Sequence, residues 1–305
     1  MPASLCSAQA SRLAVEHMNR TGVGWAAGIR RYVALMHTEG CGVSANNDEL
    51  VLRTLAGYLR SPLVRLALVL EHGCERLLND VLRERFAALD IDPEALGWAS
   101  VQMDGGLRGA VEKIEGWFRQ TTEEMTPAVR VTTGLGAVHM GIHTQGEVSS
   151  KAAGALVNLV NVIAAGGGTV VVTQAAMVRL ESQEIALQGV LDYAETPPEP
   201  GVFAMRVPRS HWTETLTGLG AAGVNVMLGL VEAGGLPGHV LVPVLQAAEG
   251  DVVGVDLCLQ GDPGDWTERM LACIADVLAG QTAPLTLQQG NVDFQLTRGD
   301  WGVSL

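Results

Sequence analysis

Two Rossmann-like α/β domains with largely parallel sheets are the fold class that this sequence predicts. Three observations carry that expectation. The chain has 305 residues, enough for two cores at about 150 residues per domain. Strand-like apolar runs begin near Tyr32, Val64, Gly97 and Ala128, and this spacing of a little over 30 residues is close to the size of a βα unit. The runs are continuous rather than alternating, as expected of strands covered on both faces of a parallel sheet. No sequence self-similarity accompanies the spacing, so it is not a repeat.

Taken in order, a helix over Ser7–Asn19 precedes the first run, YVALMHT. Helices over Asp48–Arg60, Glu75–Leu89 and Leu107–Thr122 separate it from VRLALVLEHG, GWASVQM and AVRVTTGL. The second half opens with a helix over Lys151–Ala164, followed by GGGTVVVTQ, a glycine turn into a strand. Tyr193–Gly201, rich in proline, reads as a surface loop. Strands follow at VFAMRVP, VNVMLGLVEAG, HVLVPVLQAA and VDLCLQG, then a helix over Asp265–Leu278 and a last strand at LTLQQG. The division falls near Thr126–Pro127, giving domains over 1–127 and 128–305.

Composition narrows the function classes. Charged residues are 17% and hydrophobic ones 48%, which excludes disorder. The formal charge of −13 argues against nucleic acid as a partner. With two lysines, Lys113 and Lys151, any anion site must rest on arginine or backbone N–H groups. No apolar stretch of about 18 residues predicts a membrane span, and the first ten residues lack a secretory pattern. Five dispersed cysteines fit a reducing cytoplasm better than a disulfide scaffold.

Polar residues gather where the first three runs end: His37-Thr-Glu39-Gly-Cys41-Gly, Glu71-His72-Gly-Cys74-Glu75 and Gln102-Met-Asp104-Gly105-Gly106. Carboxyl ends of parallel strands share one edge, where ligands bind. Two cysteines, two histidines and four carboxylates would therefore face one cleft, with glycines letting the backbone come close to a ligand. A single turn of this kind is ordinarily structural, its cysteine a small buried hydrophobe. Two similar clusters on successive strand ends favour a site. Cys41 and Cys74 stand 33 residues apart, which is no zinc-ribbon spacing. Neither a P-loop, a dinucleotide fingerprint nor a nucleophile elbow is present. Cys258 and Cys273 read as core and His17 as surface; His139 and His143 have no clear place.

These residues resemble the altronate/galactarate dehydratase family of sugar-acid dehydratases. The similarity is carried by Leu5-Cys6-Ser7-Ala8-Gln9, His37-Thr-Glu-Gly-Cys41-Gly, Gly73-Cys74-Glu75 and Gln102-Met-Asp-Gly105-Gly106, with Leu55-Ala-Gly-Tyr58 between. Ala164-Ala-Gly-Gly-Gly-Thr-Val-Val and Thr217-Gly-Leu-Gly-Ala-Ala-Gly223-Val-Asn225-Val resemble later family stretches. Three departures stand out. The family's small N-terminal β-rich domain is missing, so the chain is expected to be a fragment or the large subunit of a split enzyme. Gly134-Leu-Gly-Ala-Val-His139 replaces a Gly-Leu-Gln-Cys-Gly-Gly-Ser-Asp stretch, and Val207-Pro-Arg-Ser-His-Trp212 replaces a Thr-Pro-Gly stretch.

The resemblance implies a cytoplasmic hydro-lyase converting an aldonate or aldarate, such as altronate or galactarate, to a 2-keto-3-deoxy sugar acid. It also implies a divalent metal, Fe(II) or Mn(II), with ligands drawn from His37, Cys41, His72 and Cys74. Glu39, Glu75, Asp104 and His72 are the catalytic candidates; Gln102, Gly105, Gly106 and Arg298 are those for binding substrate, Arg298 as a carboxylate clamp. The expected partners are a small N-terminal-domain-like subunit and further copies of the chain. Two other classes stay open: a carbon–sulfur lyase on a sulfonated hydroxy acid, and a non-catalytic binding homologue.

Overall fold

The structure is a computed structural model that describes residues 2–4, 6–39, 48–180 and 185–299. The chain divides into two compact units, one of residues 1–60, 64–132 and 294–305, the other of 61–63 and 133–293.

The first unit runs β1 (Pro2–Ala3), α1 (Ala8–Thr21), β2 (Leu35–Met36), α2 (Asp48–Leu59), β3 (Leu68–Glu71), α3 (Asn79–Ala88), β4 (Gly97–Ser100) and α4 (Gly106–Glu123). Its four strands are all parallel, in the order β2-β1-β3-β4. Leu68, Val69 and Leu70 are buried in succession, the reason this run does not alternate. Ala10, Ala14 and Met18 on α1, and Ala110, Ile114 and Phe118 on α4, recur every fourth residue and pack with Leu68 and Leu70. Each large side chain among them contributes about 1.5–3 kcal/mol by leaving water.

The second unit runs β5 (His139–Gln145), α5 (Ser150–Ala165), β6 (Thr169–Thr173), α6 (Gln174–Arg179), β7 (Gly189–Leu191), β8 (Gly201–Met205), α7 (Trp212–Ala221), β9 (Val226–Val231), β10 (Gly238–His239), β11 (Val244–Glu249), β12 (Leu257–Leu259), α8 (Trp266–Leu278), α9 (Leu285–Gln288) and β13 (Val292–Asp293). Seven strands form a parallel sheet in the order β12-β11-β9-β5-β6-β8-β7; β10 and β13 pair separately. Period-two alternation sends Ile142, Val172 and Leu228 into one apolar layer and Val171, Met227 and Val244 into the other. The mixed α/β architecture with parallel sheets is the one expected.

Several elements differ from expectation. The run at Ala128 is not a strand: residues 128–134 form no regular structure, and Val129 and Val131 are exposed. It has the apolar residues of a strand but no partner strand among the described residues. LTLQQG forms α9 rather than a strand, because Pro284 precedes it and the Leu285 N–H donates to Asp256 Oδ1 at 2.7 Å. α3 starts at Asn79 rather than Glu75, since the Glu71 carboxylate accepts the Asn79 N–H and caps the helix there. β1, only two residues long, and β5, which begins and ends in polar residues, carry no strong apolar signal.

A polar row crosses the second unit's core: Thr173, His143, Gly229 and Gln246 on neighbouring strands. His143 is fully enclosed, its Nδ1 is 2.9 Å from Thr173 Oγ1, and Trp212 fills the space over Gly229. Burial, followed by the Arg179 charge, lowers the His143 pKa to about 4. The native ring therefore stays neutral, while the unfolded chain takes up a proton below about pH 6.5. Stability falls as pH drops through that window. Urea unfolding at about pH 7 and about pH 4.5 should show His143→Gln escaping about 2–3 kcal/mol of the wild-type loss. An identical acid loss in both proteins would place the titration elsewhere.

Candidate functional site

The first unit's sheet reverses its winding between β1 and β3: the chain steps from β1 out to β2, then returns to build β3 and β4 on the other side. The crevice beyond the carboxyl ends of two such strands is where open α/β sheets bind ligands. The residues there are Ser4 and Ser7 after β1 and His72 to Glu75 after β3.

Glu75 joins the two strand ends. One carboxylate oxygen accepts the Ser4 hydroxyl and the His72 N–H at 2.7 Å; the other accepts the Gly73 and Cys74 N–H groups at 2.8 and 3.1 Å. Ser7 Oγ lies 3.5 Å from the first oxygen and 3.2 Å from the Leu70 carbonyl, binding the start of α1 to β3. Burial works to raise the Glu75 pKa, but the bonds from Ser4 and from the His72 and Gly73 backbone outweigh it and hold the carboxyl below its usual range. Gly73 has φ +107°, and a Cβ there would sit 2.9 Å from Gln102 Oε1, so the turn requires glycine for both reasons.

His37, after β2, faces the same small cavity as Ser4 and Glu75, one of about 30 Å³ that otherwise meets apolar side chains such as Val51 and Leu82. Its Nδ1 lies 3.0 Å from the Glu39 carbonyl, which fixes Nδ1–H and leaves Nε2 with its lone pair. Burial is the main cause that lowers its pKa to about 4, against the opposing pull of Glu39 and Glu75. The ring is thus neutral near pH 7. His72 Nδ1 is buried with no hydrogen-bond partner among the described residues.

Glu39 is buried, and Arg298 Nε donates to its Oε1 at 2.8 Å, while Arg298 also donates to Thr38 Oγ1 at 3.2 Å. Two residues 259 positions apart in sequence, one a candidate base and the other a candidate clamp, therefore form one ion pair. At the β4 end, Asp104 accepts the Ser100 N–H at 2.7 Å and the Lys113 ammonium at 2.8 Å. Gly105 and Gly106 both have φ +81°, and a Cβ on Gly109 would meet the Asp104 carbonyl at 1.8 Å. This is a glycine-built entry to α4, and Asp104 bonds to none of the other candidates.

Cys41 lies outside the described residues. Among those described, no group of three or more His, Cys, Asp or Glu side chains could hold a metal ion. β1 stands between β2 and β3, so the ends carrying His37 and His72 are separated by two inter-strand spacings, about 9–10 Å. Cys74 is exposed and Cys6, on the neighbouring turn, is exposed too. Ser4 and Ser7 were not among the residues expected to act; Ser7 lies within the Leu5–Gln9 motif already noted, and Ser4 stands just before it.

A parallel α/β unit whose sheet reverses its winding beneath polar turns is of the open, Rossmann-like class. Within that class, residues 1–126 match the family described as D-galactarate dehydratase/altronate hydrolase, second domain. No curated protein matches the chain. No helix among the described residues is long and apolar enough to cross a membrane.

The Glu75 carboxylate should be structural in effect. Glu75→Gln presents an amide to N–H groups that now meet a carboxylate oxygen, and should cost about 1–3 kcal/mol in chemical denaturation. Gly106→Ala, forced into a left-handed conformation, should cost about 1–2 kcal/mol. Unchanged unfolding midpoints in both variants would show that neither turn is held as described.

Proposed function

We propose that the chain is a sugar-acid dehydratase that removes water from an aldonate or aldarate. The observation that carries this reading is the gathering of His37, Glu39, His72, Cys74, Glu75 and Arg298 at one sheet edge of the unit that matches the family. The reaction takes a proton from the carbon beside the carboxylate and expels the β-hydroxyl as water; the enol formed becomes a 2-keto-3-deoxy acid.

The substrate carboxylate takes the place of Glu39 on Arg298, as a planar guanidinium pairs with either carboxylate. Glu39, released from its partner, then accepts the α-proton. This exchange couples binding to the appearance of the base, so that the carboxylate stays paired until substrate arrives. The amino end of α1, with no side-chain cap from Ser7 and no acid in its first turn, offers backbone N–H groups to a second anionic or hydroxyl group. His72 is the proton donor to the departing hydroxyl. Glu75, ionised and fully engaged in hydrogen bonds, holds the two strand ends and moves no proton. Metal chemistry is assigned no step, because the described residues do not assemble its ligands.

The test is a screen of galactarate, altronate and other sugar acids for 2-keto-3-deoxy product, run anaerobically with and without added Fe(II). Product from at least one acid is expected. Sulfite release from a sulfonated hydroxy acid, with no sugar-acid turnover, would replace this reading by the carbon–sulfur lyase. Within an active enzyme, Arg298→Lys should raise KM about tenfold or more, and Glu39→Gln should lower kcat by about 10²–10⁴. Arg298→Lys with both constants unchanged would remove the clamp from the account.

A further inference from the structure

A second arginine stands at the same sheet edge of the first unit, and the proposed reaction leaves it unused. Arg76 follows Glu75 in the turn after β3, and its guanidinium pairs through Nη2 with Asp48, the first residue of α2. Asp48, Val51 and Leu55 share one face of that helix. Val51 and Leu55 line the small cavity that His37 and Glu75 also face, and so does Leu77, the residue after Arg76. The Arg76–Asp48 pair therefore sits about one helical turn above that cavity, on the side of the strand carboxyl ends.

The hydrogen bonding of Arg76 is incomplete. A guanidinium has five N–H donors, yet Nη2 is the nitrogen with a described partner, and Nε is buried with none among the described residues. The side chain keeps 31% exposure, so a ligand can reach the end of the fork. Asp48 does not depend on this partner alone, because it stands at the amino end of α2, where the helix favours negative charge. Lys113, the lysine of this unit, is already held by Asp104. Arg76 is thus the counterpart of Arg298. β1 separates the strands whose ends carry them, which puts those ends about 9–10 Å apart. The carboxyl carbons of an extended six-carbon diacid are about 6 Å apart, given carbon–carbon bonds of about 1.5 Å. A paired guanidinium stands about 4 Å beyond each carboxylate, so one diacid reaches both arginines.

We propose that Arg76 is a specificity-determining residue: it takes the far carboxylate of the substrate and makes the site selective for aldarates over aldonates. The inference rests on the dehydratase reading and deepens it. Arg298 holds the carboxylate beside the reacting carbon, Arg76 holds the one at the other end, and the amino end of α1 is left for a hydroxyl. An aldonate carries a hydroxymethyl group at that far end, which leaves Arg76 with Asp48 and gains nothing from its charge.

The test compares acids that differ only at carbon 6: galactarate with galactonate, and glucarate with gluconate. In the wild-type chain kcat/KM should favour the diacid about tenfold or more, and Arg76→Gln should cut that ratio to about twofold or less. Asp48→Asn combined with Arg76→Gln removes the ion pair without leaving a lone carboxylate, and should give the same reduced ratio. An Arg76 that is only structural would lower both members of a pair alike and keep the ratio. A wild-type ratio near one, or a ratio that survives Arg76→Gln, would overturn the proposal. With no turnover of any acid the dehydratase reading fails instead; the ratio is then read from calorimetric Kd values, where equal affinities overturn the proposal as well.

Discussion

Four donors meet one carboxylate where the smaller sheet reverses its winding. Glu75 takes the Ser4 hydroxyl from the turn after β1 and three successive backbone N–H groups from the turn after β3. The rest of the site depends on this arrangement. It sets the turn that carries His72 and Cys74, it holds the start of α1 against β3 through Ser7, and it places a negative charge beside His37. β1 pairs with its neighbours over so few residues that its ladder alone would hold it weakly. The side-chain bonds from Ser4 and Ser7 supply the rest of its attachment. An apolar residue at position 75 would leave three N–H groups without a partner, so the requirement is for an ionised acceptor and not for size.

Charge balance at the same edge follows from composition. A chain with a formal charge of −13 repels an anionic ligand at long range, and with so few lysines the attraction must be local. Arg298 provides it, yet in the ligand-free state its charge is matched by Glu39. A buried carboxylate left alone, such as that of Glu39, would be costly. Pairing it with Arg298 removes that cost, and a substrate carboxylate that takes over the guanidinium frees Glu39 to act as the base. His37, kept neutral by burial, adds no charge of its own. The second unit resolves its buried polarity in another way, with a neutral histidine wedged between Thr173 and Trp212.

Much of this was legible in the sequence, and the rest was hidden for physical reasons. The continuous runs at Val69 and Val171 revealed parallel strands because both faces of those strands are covered. The turns at His37, His72 and Asp104 were found together because carboxyl ends of parallel strands share an edge whatever their order. Strand order itself was not legible. β1 offers two residues and no apolar run, so nothing in the pattern showed that it separates β2 from β3. The run at Ala128 misled for the opposite reason, having apolar residues without a neighbour to pair with. The motif around Cys6 drew the eye to its cysteine, whereas the hydrogen bonds come from the serines on either side. The pairing of Glu39 with Arg298 is a tertiary contact across most of the chain's length, and no local pattern encodes it.

The central claim is that the substrate binds beyond the carboxyl ends of β1 and β3 in the first unit, within reach of Arg298. A crystal structure of the full chain with galactarate bound, under conditions where turnover is blocked by Glu39→Gln, tests it directly. The account predicts a substrate carboxylate paired with the Arg298 guanidinium and a hydroxyl or second carboxylate near the amino end of α1. Galactarate bound instead at the carboxyl ends of the second unit's strands, with Arg298 untouched, would contradict it.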